Sequence, residues 1–281
     1  MIVRRQSPLN ILADSLRWVV FAVVALVVNL PVLSTILTSF KTDADINAYP
    51  PKWIFTPTLD HYRTVLTSPS VDYLHYVMNS IVIAVLGTIF AIVLTLPAAY
   101  AIARYKVGAK WLLPIITNLR ALPLIIFAIP FYFMFQTVGL LDTRLGLALI
   151  SCIINIPIAL VLFVGFVQDL PRDFDDAAKI DGASMGQILR HVVVPLSRPV
   201  MLAVFILSFI YSWNEFLFGL ILTTKSAVPV TVGATFFVTS RGIEWGPTAA
   251  AMTIGVLPPL ILGLFAYPYM GKSMLAGGVK G

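Results

Sequence analysis

Six long apolar runs, separated by shorter polar stretches, organise the chain. Trp18–Phe40 carries no charge and is long enough for one membrane crossing, which takes about 20 predominantly apolar residues. The later runs place further spans, so the predicted set is approximately 18–40, 77–103, 111–138, 145–167, 200–222 and 248–269. The first run exceeds the roughly 7–15 apolar residues of a signal-peptide core and lacks a persuasive cleavage site, so it reads as a retained span. The predicted fold class is all-α: a polytopic membrane protein of six transmembrane helices, with residues 1–281 forming a single membrane domain. Pro114, Pro123, Pro130, Pro157, Pro258 and Pro259 lie within these spans and predict kinks, the sixth being interrupted at Pro258-Pro259.

The polar stretches differ in character. Lys41 to about Tyr76 mixes charges of both signs with Pro50-Pro51 and Pro57, predicting a loop whose short interfacial segments are held by Trp53, Phe55 and Tyr62. Pro171–Pro199 is the longest polar-rich interruption in the second half. Pro171 blocks continuation of the preceding helix, and Asp173 is placed to N-cap a new one. Asp175 and Asp176 put negative charge in its first turn, where the helix dipole favours it. Gly182 supplies the left-handed residue that closes a helix, and Ser184 can cap a second one running towards Val194, with Pro195 and Pro199 at its far end. The product is a short helix over 173–183 carrying Ala177 and Ala178, whose small side chains let another backbone approach closely. It reads as a docking knob. Thr223–Pro247 is a second mixed loop, and residues 270–281 form a Gly-rich tail.

Composition agrees with the pattern. The chain is 59% hydrophobic and 11% charged, against roughly 25% charged in soluble domains, and its mean hydropathy is +0.92. That excludes a soluble globular fold. A net charge of +6 raises the question of nucleic acid, but the basic residues are spread over the loops. Arg4, Arg5, Arg17, Arg104, Lys106, Lys110, Arg172, Lys179, Arg190, Arg198, Lys272 and Lys280 fall on one side of a six-span topology. Lys41, Lys52, Arg63, Arg144, Lys225 and Arg241 fall on the other, and Arg120 lies within a span. The two-to-one bias places both termini and the 171–199 loop in the cytoplasm. Cys152 is the single cysteine, inside an apolar run, and reads as a buried structural thiol.

Catalytic chemistry is not visible. Gly271-Lys272-Ser273 mimics the end of a phosphate-binding loop, but Ala266 stands where the earlier glycine is required and no strand precedes it. His61, His75 and His191 are scattered without metal-ligand spacing and read as solvated loop residues. The expectation is a non-catalytic chain with no metal site and no cofactor of its own. Polar groups inside the spans are costly and therefore suspect. Arg120 and Glu215 either pair across the third and fifth spans or separately line a water-filled path. Asn155 and Asn214 join them as path candidates. The plainer alternatives are that Arg120 snorkels to the interface and that the asparagines bridge helices.

One set of residues resembles a known family. Asp176-Ala177-Ala178, then Gly182 after three residues, then Val192-x-Val194-Pro195 after nine more, is similar to the EAA loop of ABC-importer permeases. The fuller form of the sugar-importer permeases is matched by Asp181-Gly182-Ala183 and Pro195-Leu196-Ser197-Arg198-Pro199, and the Gly277-Gly278-Val279-Lys280-Gly281 terminus resembles that of the maltose-transporter-type second permease subunit. Asp176 replaces the usual Glu, and Val192 and Val194 replace Ile and Leu. The resemblance implies a type I ABC-importer permease fold and a permease subunit of an ATP-driven, binding-protein-dependent importer, most simply for a sugar or sugar derivative. It implies a bacterial or archaeal cytoplasmic (inner) membrane and surrounding lipid. The implied partners are a second permease subunit in a heterodimer, two ABC ATPase subunits that hold ATP and Mg, and an extracytoplasmic solute-binding protein. Nucleic acid is not implied. It assigns Asp176, Ala177, Ala178, Asp181, Gly182, Ala183 and Pro195 to ATPase coupling, and Ala276, Gly277, Gly278 and Val279 to a tail contact with the ATPases. Phe236, Phe237 and Trp245 would face the binding protein. Other readings remain: a permease of the same kind for a polyol, glycerol phosphate or amino acid, or an ion-coupled secondary transporter. The latter would need acids within the bundle and often an internal repeat, where this sequence offers one acid and no repeat.

Overall fold

A computed structural model describes residues 8–240 and 242–277, with side chains described for 14–240 and 242–266. In chain order the elements are α1 (Pro8–Ser39), α2 (Asp43–Ile46), α3 (Asp60–Thr67), α4 (Tyr73–Tyr105), α5 (Leu112–Leu119), α6 (Ile125–Thr137) and α7 (Arg144–Asp169). There follow α8 (Asp173–Ile180), α9 (Met185–Ile188), a π-helical turn (Leu189–Val193), α10 (Val194–Leu196), α11 (Arg198–Trp213), α12 (Leu217–Leu222) and α13 (Val230–Gly233). A 3-10 turn (Ala234–Phe237), the strands β1 (Val238–Thr239) and β2 (Gly242–Ile243), and α14 (Trp245–Gly277) complete the chain. The fold class is all-α, as the apolar pattern predicts.

Among the described residues, four helical stretches are long and apolar enough to cross a membrane: Asp14–Ser39, Tyr73–Tyr105, Arg144–Asp169 and Trp245–Ala266. They coincide with the first, second, fourth and sixth predicted spans. The third predicted span is two helices, α5 and α6, and the fifth is α11 followed by α12. A fifth crossing is counted only if Met185–Leu196 and Arg198–Trp213, bent by 74°, are taken together. Part of the backbone stays hydrogen-bonded across the break in the third predicted span, as apolar surroundings favour. Between α5 and α6, Ala121 N–H donates to the Asn118 carbonyl at 2.9 Å and Leu122 N–H to that of Leu119 at 3.2 Å. Pro258-Pro259 does not interrupt α14, which runs through both as one helix.

The chain groups into two compact units, Met1–Pro69 with Phe237–Ile254, and Ser70–Phe236 with Gly255–Gly281. In the first, α1 exposes its apolar side chains all round, Trp18, Val28 and Phe21 among them, which suits contact with lipid or another chain. The Tyr62 ring packs on Phe40 at 5.1 Å. Trp53, expected to be packed, is instead 73% exposed with the Lys41 ammonium over its ring. His61, expected to be solvated, is buried: its Nε2 meets the Lys41 carbonyl at 2.7 Å, and its ring lies where a Cβ on Gly246 would project.

The second unit is built on α4 against α7. A Cβ added at Gly87 would stand 2.5 Å from Ser151 Cβ and 2.9 Å from the Ala148 carbonyl, so the two backbones nearly touch. Ala84, Ala91, Ala99, Ala148 and Ala159 are fully buried along the same two helices. Small residues allow this approach, and close packing is what associates helices in lipid. At one end of the pair, Asn79 donates to the carbonyls of Ser226 (3.1 Å) and Val228 (2.9 Å) and accepts from Arg144 Nε at 2.7 Å. Ser80 Oγ accepts from the Val230 N–H at 2.8 Å. At the other end, Ile188 and Val193 of the 171–199 segment join Ile102, Ala103, Phe163, Val167 and Val204 in one apolar core.

Candidate functional site

The 171–199 segment folds as two short helices meeting at a tight turn. Arg172, not Asp173, stands at the N-cap of α8, in helical conformation and without a side-chain capping bond. Asp173 is the first helical residue, and with Asp175 and Asp176 it sets three acids against the exposed N–H groups of the first turn. The helix ends as its glycine predicts. Gly182 takes φ +79°, its N–H donates to the Lys179 carbonyl and the Ala183 N–H to that of Ala178, both at 2.9 Å. These are the paired bonds of a Schellman closure. Ser184 opens α9, its N–H donating to Gln187 Oε1 at 2.7 Å. Helical backbone then continues through the π turn and α10, which carries Pro195, to Leu196.

The faces of α8 are chemically distinct. Phe174, Asp176, Ala177 and Ile180 point outward, Ile180 being 86% exposed. The Asp176 carboxyl is held below the usual carboxylate range by the hydrogen bond from Lys179 Nζ at 2.9 Å. Ala178, Asp181, Gly182 and Ala183 border a shallow cleft of about 260 Å³, completed by Gln187, Ile188, His191 and Val192. Asp175 faces inward. It is 3% exposed and pairs with Arg104 Nε at 2.5 Å, both side chains being almost wholly buried. Arg104 Nη2 also donates to the Leu170 carbonyl at 2.8 Å. Sequence reasoning missed this pair, because Arg104 read only as a loop charge. The available signal was the helical spacing of Asp175 and Ala178, which puts both on one face.

The path candidates are placed separately. Arg120 is the C-cap residue of α5, exposed, with its guanidinium 5.4 Å from the Tyr211 ring centroid. Glu215 lies in the break between α11 and α12 and accepts from the N–H groups of Phe218 (2.9 Å) and Gly219 (3.2 Å), so it closes the open N-terminus of α12. Among the described residues no ion pair joins Arg120 to Glu215. Asn155 is fully buried, its Nδ2 donating to Ser212 Oγ at 2.7 Å and bridging α7 to α11. Asn214 is exposed and returns its Nδ2 to the Ile210 carbonyl at 2.8 Å.

The loop after α12 is tied down at its start. Asp142, at φ +53°, accepts from the backbone N–H groups of Thr224 (3.1 Å), Lys225 (3.1 Å), Ser226 (2.8 Å) and Ala227 (3.0 Å). Burial pushes its carboxyl up, but the donors of Ser226, Ala227, Thr224 and Lys225 outweigh that and hold it at about 2. Further along, Phe236 is exposed at one edge while its ring meets Tyr76 at 5.7 Å. Phe237 is 4% exposed, and Trp245 is 55% exposed, beside a hairpin in which Val238 opposes Ile243. Ala276 and Gly277 lie at the end of α14, where only the backbone is described, and Gly278 and Val279 lie outside the described residues.

A family model for binding-protein-dependent transport system inner membrane components matches residues 91–275. The chain is 32% identical to the trehalose/maltose transport system permease protein MalG of Thermococcus litoralis, over 92% of this chain and 93% of that one. It is 33% identical to the trehalose transport system permease protein SugB of Mycobacterium tuberculosis, over 80% of this chain and 83% of that one. A solved bacterial ABC transporter involved in import of the acidic polysaccharide alginate contains a similar fold, with TM-score 0.72 and 20% identity over 96% of this chain and 99% of the other.

Proposed function

Because this chain belongs to the family of binding-protein-dependent transport system inner membrane components, we propose that it is the permease subunit of an ATP-driven importer for a sugar or sugar derivative. One observation carries the reading. A two-turn helix, α8, is rooted by a buried ion pair and stopped by a left-handed glycine, yet leaves Phe174, Ala177 and Ile180 uncovered. Uncovered apolar side chains on a rigid, polar-flanked helix suit a partner protein. The partner at α8 is an ABC ATPase that binds ATP and Mg, with Asp176, Ala177, Ala178, Asp181, Gly182 and Ala183 at the contact and Pro195 fixing the helix behind it. The chain itself takes no catalytic part.

The rest of the assembly follows from the same reading. A second permease subunit covers the apolar faces that this chain leaves open, two ATPases sit on the cytoplasmic side with α8 and the C-terminal tail, and both termini face them. A solute-binding protein meets the opposite side near Phe236 and Trp245. The twelve basic residues on the α8 side support this orientation. The relatives named for trehalose and maltose support the solute class. Arg120, Asn214 and Glu215 are the path candidates that retain exposed or half-buried surface.

The test is ATP hydrolysis by the complex in lipid, with binding protein and a panel of sugars and polyols, for wild type and Gly182→Asp. Solute-dependent stimulation that is lost in the variant is the expected result, and the stimulating solute identifies the cargo. A chain that purifies without any ATPase, and on which Gly182→Asp has no effect, overturns the reading.

A further inference from the structure

Arg104 stands in the last turn of α4, Leu170 is the C-cap of α7, and Asp175 lies in the first turn of α8. One guanidinium therefore meets three elements: its own helix, the Leu170 carbonyl at 2.8 Å and the Asp175 carboxylate at 2.5 Å. The backbone alone does not fix α8. Leu170 is extended at its ψ of 127°, only Leu170, Pro171 and Arg172 separate α7 from α8, and beyond the other end Gly182 turns the chain at φ +79°. Regular helical backbone is therefore interrupted on both sides of α8. The remaining polar pair on α8, Asp176 with Lys179, is exposed and lies within the helix, so it restrains nothing outside it. Among α8 side chains, Asp175 is the buried one, and Ala178 adds partial packing against the core of α4 and α7.

We propose that the Arg104–Asp175 pair is the strut that makes α8 move as one body with α4, so that partner closure on α8 is delivered to the membrane helices. A buried pair is suited to this. Separating two desolvated charges is costly, whereas sliding the exposed face of α8 on a partner is not. Arginine is also the residue that can hold a carboxylate and a carbonyl at once, because its planar fork offers several fixed donors. Arg104 and Asp175 are thus positioning residues that act through α8. The proposal rests on the importer reading above.

The experiment measures solute transported per ATP hydrolysed by the reconstituted complex, for wild type and Asp175→Asn, with co-purification of the ATPase as the control for assembly. Asparagine keeps the shape and removes the charge. The expected result is an assembled complex that still hydrolyses ATP while transport per ATP falls at least tenfold. An assembled Asp175→Asn complex with the wild-type ratio overturns the strut. If Asp175→Asn does not assemble, Arg104→Lys replaces it. Lysine keeps the charge but lacks the planar fork that reaches both partners from fixed donors, so a lowered ratio supports the strut and an unchanged ratio overturns it. Proportional loss of transport and hydrolysis, with the ratio intact, also overturns it, since that is the signature of a role in stability alone. A wild-type complex without solute-dependent hydrolysis would instead remove the importer reading.

Discussion

The Asp142 carboxylate accepts the Ser226 N–H at 2.8 Å, while the carbonyl of Ser226 is taken by His75 Nε2 at 2.9 Å and Asn79 Nδ2 at 3.1 Å. One loop residue is thus gripped on both sides of its backbone, by the turn before α7 and by the first turns of α4. This fixes where the loop after α12 begins.

The grip depends on pH. The Asp142 carboxyl is lowered from 3.8 to about 2, so its contribution is complete above pH 4 and is lost as pH falls through 2. Asp142→Asn should lower the thermal midpoint of the purified protein at pH 6, with the gap to wild type closing as pH falls towards 2. A gap that is constant with pH would show that the carboxylate charge plays no part.

Gly182 occupies left-handed backbone with open space around its α-carbon, so only conformation, not room, resists a side chain there. Gly182→Val should cost about 1–2 kcal/mol locally and weaken ATPase co-purification. Gly182→Asn should be milder, because asparagine tolerates that region. Pull-down of the ATPase by each variant checks the order.

At Gly87 the constraint is the reverse. A Cβ would meet backbone and Cβ atoms of α7 that cannot turn aside. Gly87→Val should destabilise the fold by roughly 1–3 kcal/mol, as overpacking of a closed helix contact does, and lower the thermal midpoint in detergent.

Glu215 gives a sharper division of roles. Its two oxygens serve the Phe218 and Gly219 N–H groups. Glu215→Ala should therefore cost about 0.5–2 kcal/mol, like other lost helix caps, whereas Glu215→Gln keeps an acceptor and should retain most of that stability. Transport by Glu215→Gln then isolates the charge: wild-type rates would remove Glu215 from the translocation path.

The local chemistry of the 171–199 segment was legible in the sequence because its signals are short-range. Gly182, Ser184 and the first-turn acids specify a helix, a turn and a second helix wherever they occur. The same holds for the four uninterrupted spans, whose apolar length is sufficient evidence. The third and fifth predicted spans each fold as two helices, a break that the sequence did not show. Hydropathy reports apolar content and not backbone continuity, and nothing in the runs around Arg120 and Glu215 shows that amide groups there find partners outside a continuous helix.

The sequence by itself determined the membrane class, the helical content, the family-like loop and the left-handed stop at Gly182, since each depends on composition or on neighbours a few residues apart. Tertiary structure decided that Asp175 rather than Asp176 turns inward to Arg104, that Asn155 spans to Ser212, and that Asp142 holds a loop some 80 residues away. Those pairings join residues distant in the chain, and a buried polar group chooses its partner by geometry, because the alternative is to leave it unsatisfied in apolar surroundings.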